Sequence, residues 1–432
     1  MARSYVGRFG YSPLPIVAAV FIFLDSLGLV FLPHLEHLPL PYLPEARSAY
    51  SLVDRKDIVY LHHVFAHVLV HGLFFWGMLF LRVFVARWLM LRKGSLSEVC
   101  TLRRKATLAL SVILLFLGVF FYFKYFFQGP GLILLTNYRI FYSLPAEAVQ
   151  ARSLAASQVE FGQGAYGASL AAYLVWPFFA ALAVIMLGRH KLFQLFVIGV
   201  TFLMSVAYAL QTYQKAPIAY CVLLYGGMLL VISHGERLSE WASSFRGQKV
   251  IGRFTSLAIL LGFVGGTALY IFNFGLSFWQ AIVATLGRVF LVPANTEAYW
   301  FLVYPHKEAF LGLPWVLNTN MEIIKHTAFL ATGDLFSANA SFIAVGWSGF
   351  GVSGVLMSAL VVVGYLVYAE IMWGSLCPKG RLLAIAFLLG SIFFLLSGTL
   401  FDWLSKGGLG IVLLLISSSR RVLNFRGTGG VK

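Results

Sequence analysis

Residues 106–127 read ATLALSVILLFLGVFFYFKYFF and contain a single charged side chain, Lys124. A run of roughly 20 apolar residues is long enough to cross the hydrocarbon core of a bilayer as a helix. Arg103, Arg104 and Lys105 directly precede the run, and a basic cluster at one end of a span marks its cytoplasmic side. This stretch therefore predicts a transmembrane helix that leaves the cytoplasm near its first residue.

The rest of the chain has the same apolar character. Of its 432 residues, 60% are hydrophobic and only 11% are charged, a composition that a soluble domain does not need. Hydropathy and flanking charge divide the chain into about ten spans, and these do not show the period-two alternation of a membrane barrel. We therefore predict an all-α polytopic membrane protein with a single integral membrane domain over residues 1–432. The predicted spans lie near residues 14–33, 58–80, 106–127, 167–187, 192–210, 217–233, 254–276, 349–372, 382–402 and 407–418.

The net charge of +16 is distributed in short basic clusters between the spans. This distribution is typical of the cytoplasmic loops of a membrane protein, and it argues against a nucleic-acid partner, which would need a basic domain. It places both termini in the cytoplasm. It also leaves two large loops outside, at residues 128–166 and 277–348, of which the second is expected to contain short helices. The lipid bilayer is the first predicted partner of the chain.

The outside loops hold isolated cations within apolar and aromatic sequence, namely Arg139, Lys215 and Arg288. A lone cation near the membrane plane is costly and normally has a partner or a task. Arginine presents a planar fork of donors that suits diphosphate oxygens, whereas Lys215 lies where a helix N-terminus adds to an anion site. The alternative is that these side chains reach ordinary lipid headgroups.

The second outside loop also contains candidates for a general base. Glu322 and His326 stand four positions apart and share one face if this segment is helical. A histidine held by a carboxylate can accept a proton from a sugar hydroxyl, although an ordinary polar helix face has the same pattern. His306 and Asp334 are further candidates with no stronger support.

The second predicted span carries a stripe of histidines, His63, His67 and His71, with His62 beside it. Residues four apart lie on one helix face, so the stripe could bind a metal, relay protons or bond to neighbouring helices. No nearby acidic residue or cysteine in the sequence completes a metal site, so we predict none. Asp25 in the first span is a candidate partner of the stripe.

The start of the eighth predicted span is rich in glycine. Small residues let helix backbones approach closely in a membrane, so these glycines are interpreted as packing positions. They are Gly346, Gly349, Gly351 and Gly354.

Three stretches together resemble the Wzy-type polymerases of oligosaccharide repeat units. They are QKAPIAYCVLLYGGMLL at residues 214–230, RVFLVPANTEAYWF at 288–301 and SANASFIAVGWSGFGVSG at 337–354. The first is similar to the entry into a mid-chain span of that family. The other two are similar to the segments that open and close its large periplasmic loop. The order and spacing of the three stretches carry the resemblance.

The resemblance implies a fold like that of the GT-C glycosyltransferases and an activity without cofactor or metal. It implies a position in the bacterial inner membrane, with chemistry on the periplasmic face and undecaprenyl-diphosphate-linked oligosaccharides as donor and acceptor. A chain-length regulator is an implied protein partner, and the polymer is an O-antigen, a capsule or an exopolysaccharide.

The resemblance also implies roles for Lys215, Arg288 and Tyr299, and for Arg139 and Asn339. Lys215 and Arg288 are expected to act on the donor diphosphate. Independently of the resemblance, Glu322 and His326 are the candidates for proton transfer, and Trp300 and His306 are further candidates for substrate contact. The expected substrate-binding residues are thus Arg139, Tyr299, Trp300, His306 and Asn339.

Two other functions stay open at this point. O-antigen ligases carry His-Asn-x-x-Leu before their glycine-rich span entry, but here Ala338, Asn339 and Phe342 stand at the corresponding positions, which favours a polymerase. A flippase or other transporter of lipid-linked oligosaccharides would also be polytopic, with charged residues within several spans and often a repeat symmetry. No internal repeat is visible in the sequence.

Overall fold

The computed structural model describes most of the apolar segments of the chain and the region between them that was predicted as the second outside loop. The described residues are 13–21, 25–32, 56–81, 83, 100–102, 104–128, 165–187, 190–211, 215–242, 263–268, 270–272, 275–317, 321–333, 341–373, 378–397 and 400–420. The predicted first outside loop lies outside them from residue 129 to residue 164.

The described residues are almost entirely helical. The helices of the first half are α1 (Pro13–Phe21), α2 (Leu27–Phe31), α3 (Lys56–Phe80), α4 (Arg104–Phe123), α5 (Ala165–Leu170), α6 (Trp176–Met186), α7 (Lys191–Gln211) and α8 (Lys215–Ala242). Those of the second half are α9 (Phe278–Leu286), α10 (Val292–Val303), α11 (Leu313–Leu317), α12 (Met321–Thr332), α13 (Phe342–Phe350), α14 (Val352–Trp373), α15 (Pro378–Ser397), α16 (Leu400–Trp403) and α17 (Leu409–Ser417). A further helical stretch, Phe263–Phe272, includes one residue outside the description.

Wider π-helical turns continue four of these helices. They are Lys124–Gln128 after α4, Ala171–Val175 after α5, Gly287–Leu291 after α9 and Leu404–Gly408 after α16. Two short strands, β1 (Cys100–Leu102) and β2 (Ser418–Arg420), pair in antiparallel fashion.

Five of the described helices are long and apolar enough to cross a membrane. They are Ile58–Phe80, Thr107–Gln128, Tyr166–Met186, Lys191–Leu210 and Val352–Glu370. Each lies within a few residues of a span predicted from hydropathy. The predicted helical membrane character is thus confirmed for the described residues, apart from the short β1–β2 pair, while the number of ten spans and the likeness to the GT-C fold remain predictions.

The chain divides into two compact units. One unit comprises Met1–Met78, Glu240–Val367 and Ser391–Leu404, and the other comprises Leu79–Ser239, Tyr368–Gly390 and Ser405–Lys432. In the second unit α6 packs on α7, and α4 packs on α5 and α17. Tyr220 donates a hydrogen bond to the carbonyl of Tyr173 over 2.6 Å, and Tyr122 donates to the carbonyl of Met204 over 2.8 Å.

Helix α10 is the centre of the first unit. Every residue from Ala294 to Val303 on this helix is buried, and the helix packs against α2, α12 and α13. Pro293 stands in its first turn, directly after the π-helical turn Gly287–Leu291, and has no N–H to donate to the carbonyl groups of that turn. A helix buried on all sides belongs in a protein core, and Asn295, Thr296 and Glu297 on this helix therefore need polar partners within that core.

The glycines at the start of α14 allow close backbone contact, as the sequence predicted. A β-carbon on Gly354 would overlap the carbonyl group of Gly346, and a β-carbon on Gly346 would stand 2.7 Å from the carbonyl oxygen of Gly354. Gly351 between them has a φ of 63°, a conformation that favours glycine. The turn from α13 into α14 thus depends on small residues at specific positions.

Candidate functional site

The histidine stripe of α3 faces a carboxylate in the first unit. His63 and His67 are 0% and 2% exposed, and Glu297 on α10 is 1% exposed. The Nε2 atoms of the two histidines lie 3.2 Å and 3.0 Å from the same oxygen, Oε2 of Glu297. The helical spacing of four residues brings both imidazoles to one face, and α10 supplies the acidic partner that the sequence did not identify.

The second oxygen of Glu297 is held by Ser341. The hydroxyl of Ser341 donates a hydrogen bond to Oε1 of Glu297 and accepts from the backbone N–H groups of Ile343 and Ala344. Ser341 is thus the N-cap of α13 and a partner of the buried carboxylate at the same time. Both oxygens of Glu297 consequently have partners.

A second hydroxyl extends the network along the histidine face. Oγ of Ser26 lies 2.9 Å from Nδ1 of His67 and 2.7 Å from Nε2 of His71. His67 therefore contacts Glu297 with one ring nitrogen and Ser26 with the other. A continuous chain of hydrogen bonds runs from His71 through Ser26 and His67 to Glu297.

Asp25 adds a second buried carboxyl group to this cluster. It is 1% exposed, and among the described residues its Oδ2 atom has no hydrogen-bond partner. It lies near enough to Glu297 and His67 for electrostatic interaction with both. The sequence analysis named Asp25 as a candidate partner of the histidine stripe, and the structure brings the two together.

Aromatic side chains close the cluster off from its surroundings. The ring of Phe21 stacks on that of His67 with centroids 5.8 Å apart, and Phe301 stacks on His63 at 4.5 Å. Trp347 stacks in turn on Phe301 at 4.6 Å. Such apolar walls lower the local dielectric and strengthen each polar contact within them.

His63, His67 and Glu297 are also a potential metal-binding set. Each residue offers one ligand atom, and the three atoms lie within 4.8 Å of one another. Two imidazoles and a carboxylate suit several divalent transition metals. The sequence analysis expected no metal site because the acidic partner stands far away in the chain.

A second, exposed histidine–carboxylate pair lies in the segment that follows α10. Nε2 of His326 on α12 is 2.8 Å from Oε1 of Glu308, and the two side chains are 51% and 37% exposed. The spacing of four residues predicts Glu322 as the partner of His326. Glu322 is exposed on the same helix, but the structure gives Glu308 as the carboxylate that holds the imidazole.

The aromatic residues expected to bind sugars are found in the core instead. Tyr299 and Trp300 are both 0% exposed. Trp300 stacks on Trp315 with centroids 5.1 Å apart, and the hydroxyl of Tyr299 accepts from the side-chain amide of Asn295 over 3.1 Å. A sugar cannot stack on Trp300 in this structure because packing covers its faces. Of the expected substrate contacts on described residues, His306 is exposed.

The segment directly after α10 is packed among buried aromatic side chains. Nε1 of Trp347 donates to the backbone carbonyl of Tyr304 over 2.8 Å, and Nε1 of Trp315 donates to Oγ of Ser348 over 2.8 Å. Burial raises the pKa of Tyr304, so its phenol stays protonated at neutral pH. The segment that carries His306 and Glu308 thus begins at a packed aromatic cluster.

The two expected diphosphate ligands stand at different kinds of helix position. Arg288 is exposed and belongs to the π-helical turn between α9 and α10. Such turns occur mostly as single inserted turns and are frequent at functional sites. Lys215 is the first residue of α8, and its side chain lies outside the described part of the structure. Arg139, Asp334 and Asn339 lie outside the described residues as well.

The chain was also compared with known proteins. No protein-family model, curated protein or solved structure matches it. Sequence reasoning left four residues without a role, namely Ser26, Glu297, Glu308 and Ser341. Glu297 and Ser341 stand within the stretches quoted above, but the partners of all four depend on the folded arrangement of the helices.

Proposed function

We propose that the chain is a Wzy-type polysaccharide polymerase that joins undecaprenyl-diphosphate-linked repeat units at the periplasmic face of a bacterial inner membrane. The hydroxyl of an incoming repeat unit attacks the anomeric carbon of the growing chain. The bond between that carbon and the diphosphate oxygen breaks, and undecaprenyl diphosphate leaves. The sequence resemblance supports this reaction, and the confirmed helical membrane character is compatible with it.

One structural observation carries the proposal, namely the pairing of His326 with Glu308. An imidazole held by a carboxylate is oriented for proton transfer. Both side chains reach solvent, as a group that takes a proton from a sugar hydroxyl must do. In this proposal His326 is the general base, Glu308 positions it and His306 contacts the sugar.

The leaving group needs stabilisation of negative charge. Arg288 and Lys215 are proposed to neutralise the negative charge that develops on the diphosphate as its bond to the anomeric carbon breaks. Electrostatic stabilisation of this kind is often the largest contribution to catalysis. Arg139 and Asn339 are proposed to contact the remainder of the lipid-linked donor. A diphosphate is a good leaving group once its negative charge is neutralised, so the proposed reaction does not require a metal ion.

The proposal is tested with purified protein in lipid nanodiscs and lipid-linked repeat units as the only substrate. A ladder of chain lengths is expected from the wild-type protein, and His326→Ala and Arg288→Ala should abolish it. Lys215→Ala tests the second proposed ligand of the diphosphate, and Lys191→Ala is its matched control. Both lysines begin a long helix, but Lys191 lies in a predicted cytoplasmic loop. A full ladder from both His326→Ala and Arg288→Ala would refute the assignment.

A second candidate function is the transport of lipid-linked oligosaccharides. The buried cluster of Asp25, His67 and Glu297 favours it, because carriers place titratable groups inside the membrane to couple transport to ions or protons. In the same reconstituted system, a transporter would move the lipid-linked unit across the bilayer without lengthening it. A ligase would transfer the chain only when a different acceptor is added, so the three functions give different products.

A further inference from the structure

We propose that His63, His67 and Glu297 bind one divalent transition-metal ion, with Zn²⁺ as the ion that fits best. The site would tie α3 to α10. The proposal rests on the buried cluster alone and does not depend on the proposed polymerase activity. It concerns none of the exposed residues assigned to glycosyl transfer.

The distances in the cluster fit a shared ion. Zinc binds imidazole nitrogen and carboxylate oxygen at about 2.0–2.2 Å in tetrahedral sites, which separates neighbouring ligand atoms by about 3.3 Å. The Nε2 atoms of His63 and His67 stand 3.2 Å and 3.0 Å from Oε2 of Glu297, and the three ligand atoms lie within 4.8 Å of one another. Only small shifts are needed to place an ion between them.

The spacing of the histidines in the sequence also fits a metal site. Two histidines at positions i and i+4 on one helix face offer their Nε2 atoms to the same point, as in the helical His-x-x-x-His pairs of zinc enzymes. His63 and His67 have this spacing on α3, and Glu297 approaches from α10. Histidine pairs and a carboxylate are ligands that zinc accepts readily.

Charge balance provides the independent argument. Two buried carboxyl groups, those of Asp25 and Glu297, are 1% exposed each, and burial of an unpaired anion is costly. Oδ2 of Asp25 has no hydrogen-bond partner among the described residues. A divalent cation held by His63, His67 and Glu297 would offset the negative charge of both carboxylates beside neutral imidazoles, with Asp25 as a nearby buried acid outside the ligand set.

The surrounding hydroxyl groups suit a metal site. Ligating histidines normally bond through their second ring nitrogen to a fixed partner, and ligating carboxylates are likewise hydrogen-bonded. Nδ1 of His67 lies 2.9 Å from Oγ of Ser26, and Oε1 of Glu297 accepts from Ser341. With the ion on Nε2, Nδ1–H of His67 would donate to Ser26, which in turn would donate to Nε2 of His71.

The burial of the ligands decides between a structural and a catalytic ion. Catalytic zinc keeps one position open for water or substrate, whereas structural zinc is fully enclosed by protein ligands. His63, His67 and Glu297 are all at most 2% exposed, and Phe21 and Phe301 cover the imidazoles. The proposed ion is therefore enclosed by the protein and away from an incoming sugar, and it is compatible with glycosyl transfer that uses no metal.

Full-length protein in detergent, washed with chelator and then titrated with Zn²⁺, tests the proposal. About one zinc per chain is expected by mass spectrometry of the dialysed protein, together with a higher melting temperature after zinc addition. His63→Gln and Glu297→Gln should lose the bound zinc. His62→Gln is the matched control, since it changes the adjacent histidine of the same helix and should retain the metal.

A spectroscopic measurement on the unaltered chain avoids any dependence on the folding of variants. Co²⁺ in place of zinc should give the intense visible bands of a tetrahedral ion with nitrogen and oxygen ligands. If the wild-type chain binds neither Zn²⁺ nor Co²⁺ in stoichiometric amount, the cluster is a hydrogen-bonded network and the proposal fails. Zinc retained by His63→Gln and Glu297→Gln would overturn it equally.

Discussion

Nε2 of His67 lies 3.0 Å from Oε2 of Glu297, although the two residues are 230 positions apart in the chain. This contact joins α3, one of the candidate membrane spans, to α10, the most buried helix of the first unit. It converts a stripe of histidines into part of a polar cluster enclosed by aromatic rings. The stability of the unit should therefore respond to changes at Glu297 far more than to changes at exposed acidic residues.

Glu297→Ala is expected to lower the free energy of unfolding by about 3 kcal/mol, because removal of one partner from a buried charged network leaves the others unpaired. The groups left without their acceptor are those of His63, His67 and Ser341. Thermal unfolding in detergent, followed by tryptophan fluorescence, measures the change. Glu322→Ala serves as the control, since Glu322 is exposed, and equal melting temperatures for the two variants would contradict the prediction.

Ser341 is expected to stabilise the protein through two interactions that different substitutions can separate. Ser341→Ala removes the N-cap of α13, which typically costs about 1 kcal/mol, and it also removes the hydrogen bond to Glu297. Ser341→Thr keeps both interactions and should be close to the wild type. Ser341→Asp keeps the cap but places a second carboxylate against Glu297, so it should be less stable than Ser341→Thr. Equal stability of the threonine and aspartate variants would show that the contact with Glu297 contributes nothing.

Much of the helical architecture could be predicted from the sequence because it depends on local composition. Long apolar runs such as Ile58–Phe80 and Lys191–Leu210 have no alternative to a helix if they cross a membrane. The face shared by His63 and His67 also follows from helical periodicity alone. These features need no knowledge of which helices are neighbours.

The partners within the sites could not be predicted in the same way. Glu308 holds His326 across 18 positions, although Glu322 is nearer in the sequence, because the chain folds back after α10. Trp300 is a predicted sugar contact, but it is buried because α10 is covered on all sides. Hydropathy assigns residues to spans or loops, whereas these outcomes depend on which helices pack together.

Gly354→Ala is expected to destabilise the protein by about 1–3 kcal/mol, the usual effect of forcing extra volume into a packed site. The added carbon would overlap the carbonyl group of Gly346. Gly364→Ala on the same helix is the matched control, because a β-carbon there meets nothing within 4 Å. Alanine is the better helix former by up to about 1 kcal/mol, so the control should be neutral or slightly stabilising. Melting temperatures that fall equally for both variants would argue against the close approach.

His326→Ala is expected to change the free energy of unfolding by less than about 1 kcal/mol, as is usual for an exposed ion pair. His326 and Glu308 are 51% and 37% exposed, so solvent replaces the lost partner. Chain growth in nanodiscs should nevertheless fall steeply if His326 is the base, and Glu308→Gln should reduce it less. A stable His326→Ala protein with an unchanged rate of chain growth would remove this histidine from the proposed mechanism.

Arg288→Lys distinguishes a diphosphate ligand from a residue that merely supplies positive charge. Lysine keeps the charge but loses the planar fork that binds two phosphate oxygens at once, and the loss of one such donor typically slows a reaction about 100-fold. Arg288 is exposed in the π-helical turn before α10, so little change in melting temperature is expected. The initial rate of chain growth, normalised to folded protein, measures the effect, and Lys191→Ala should leave that rate unchanged. A wild-type rate for Arg288→Lys together with a strong loss for Arg288→Ala would mean that charge alone is required at this position.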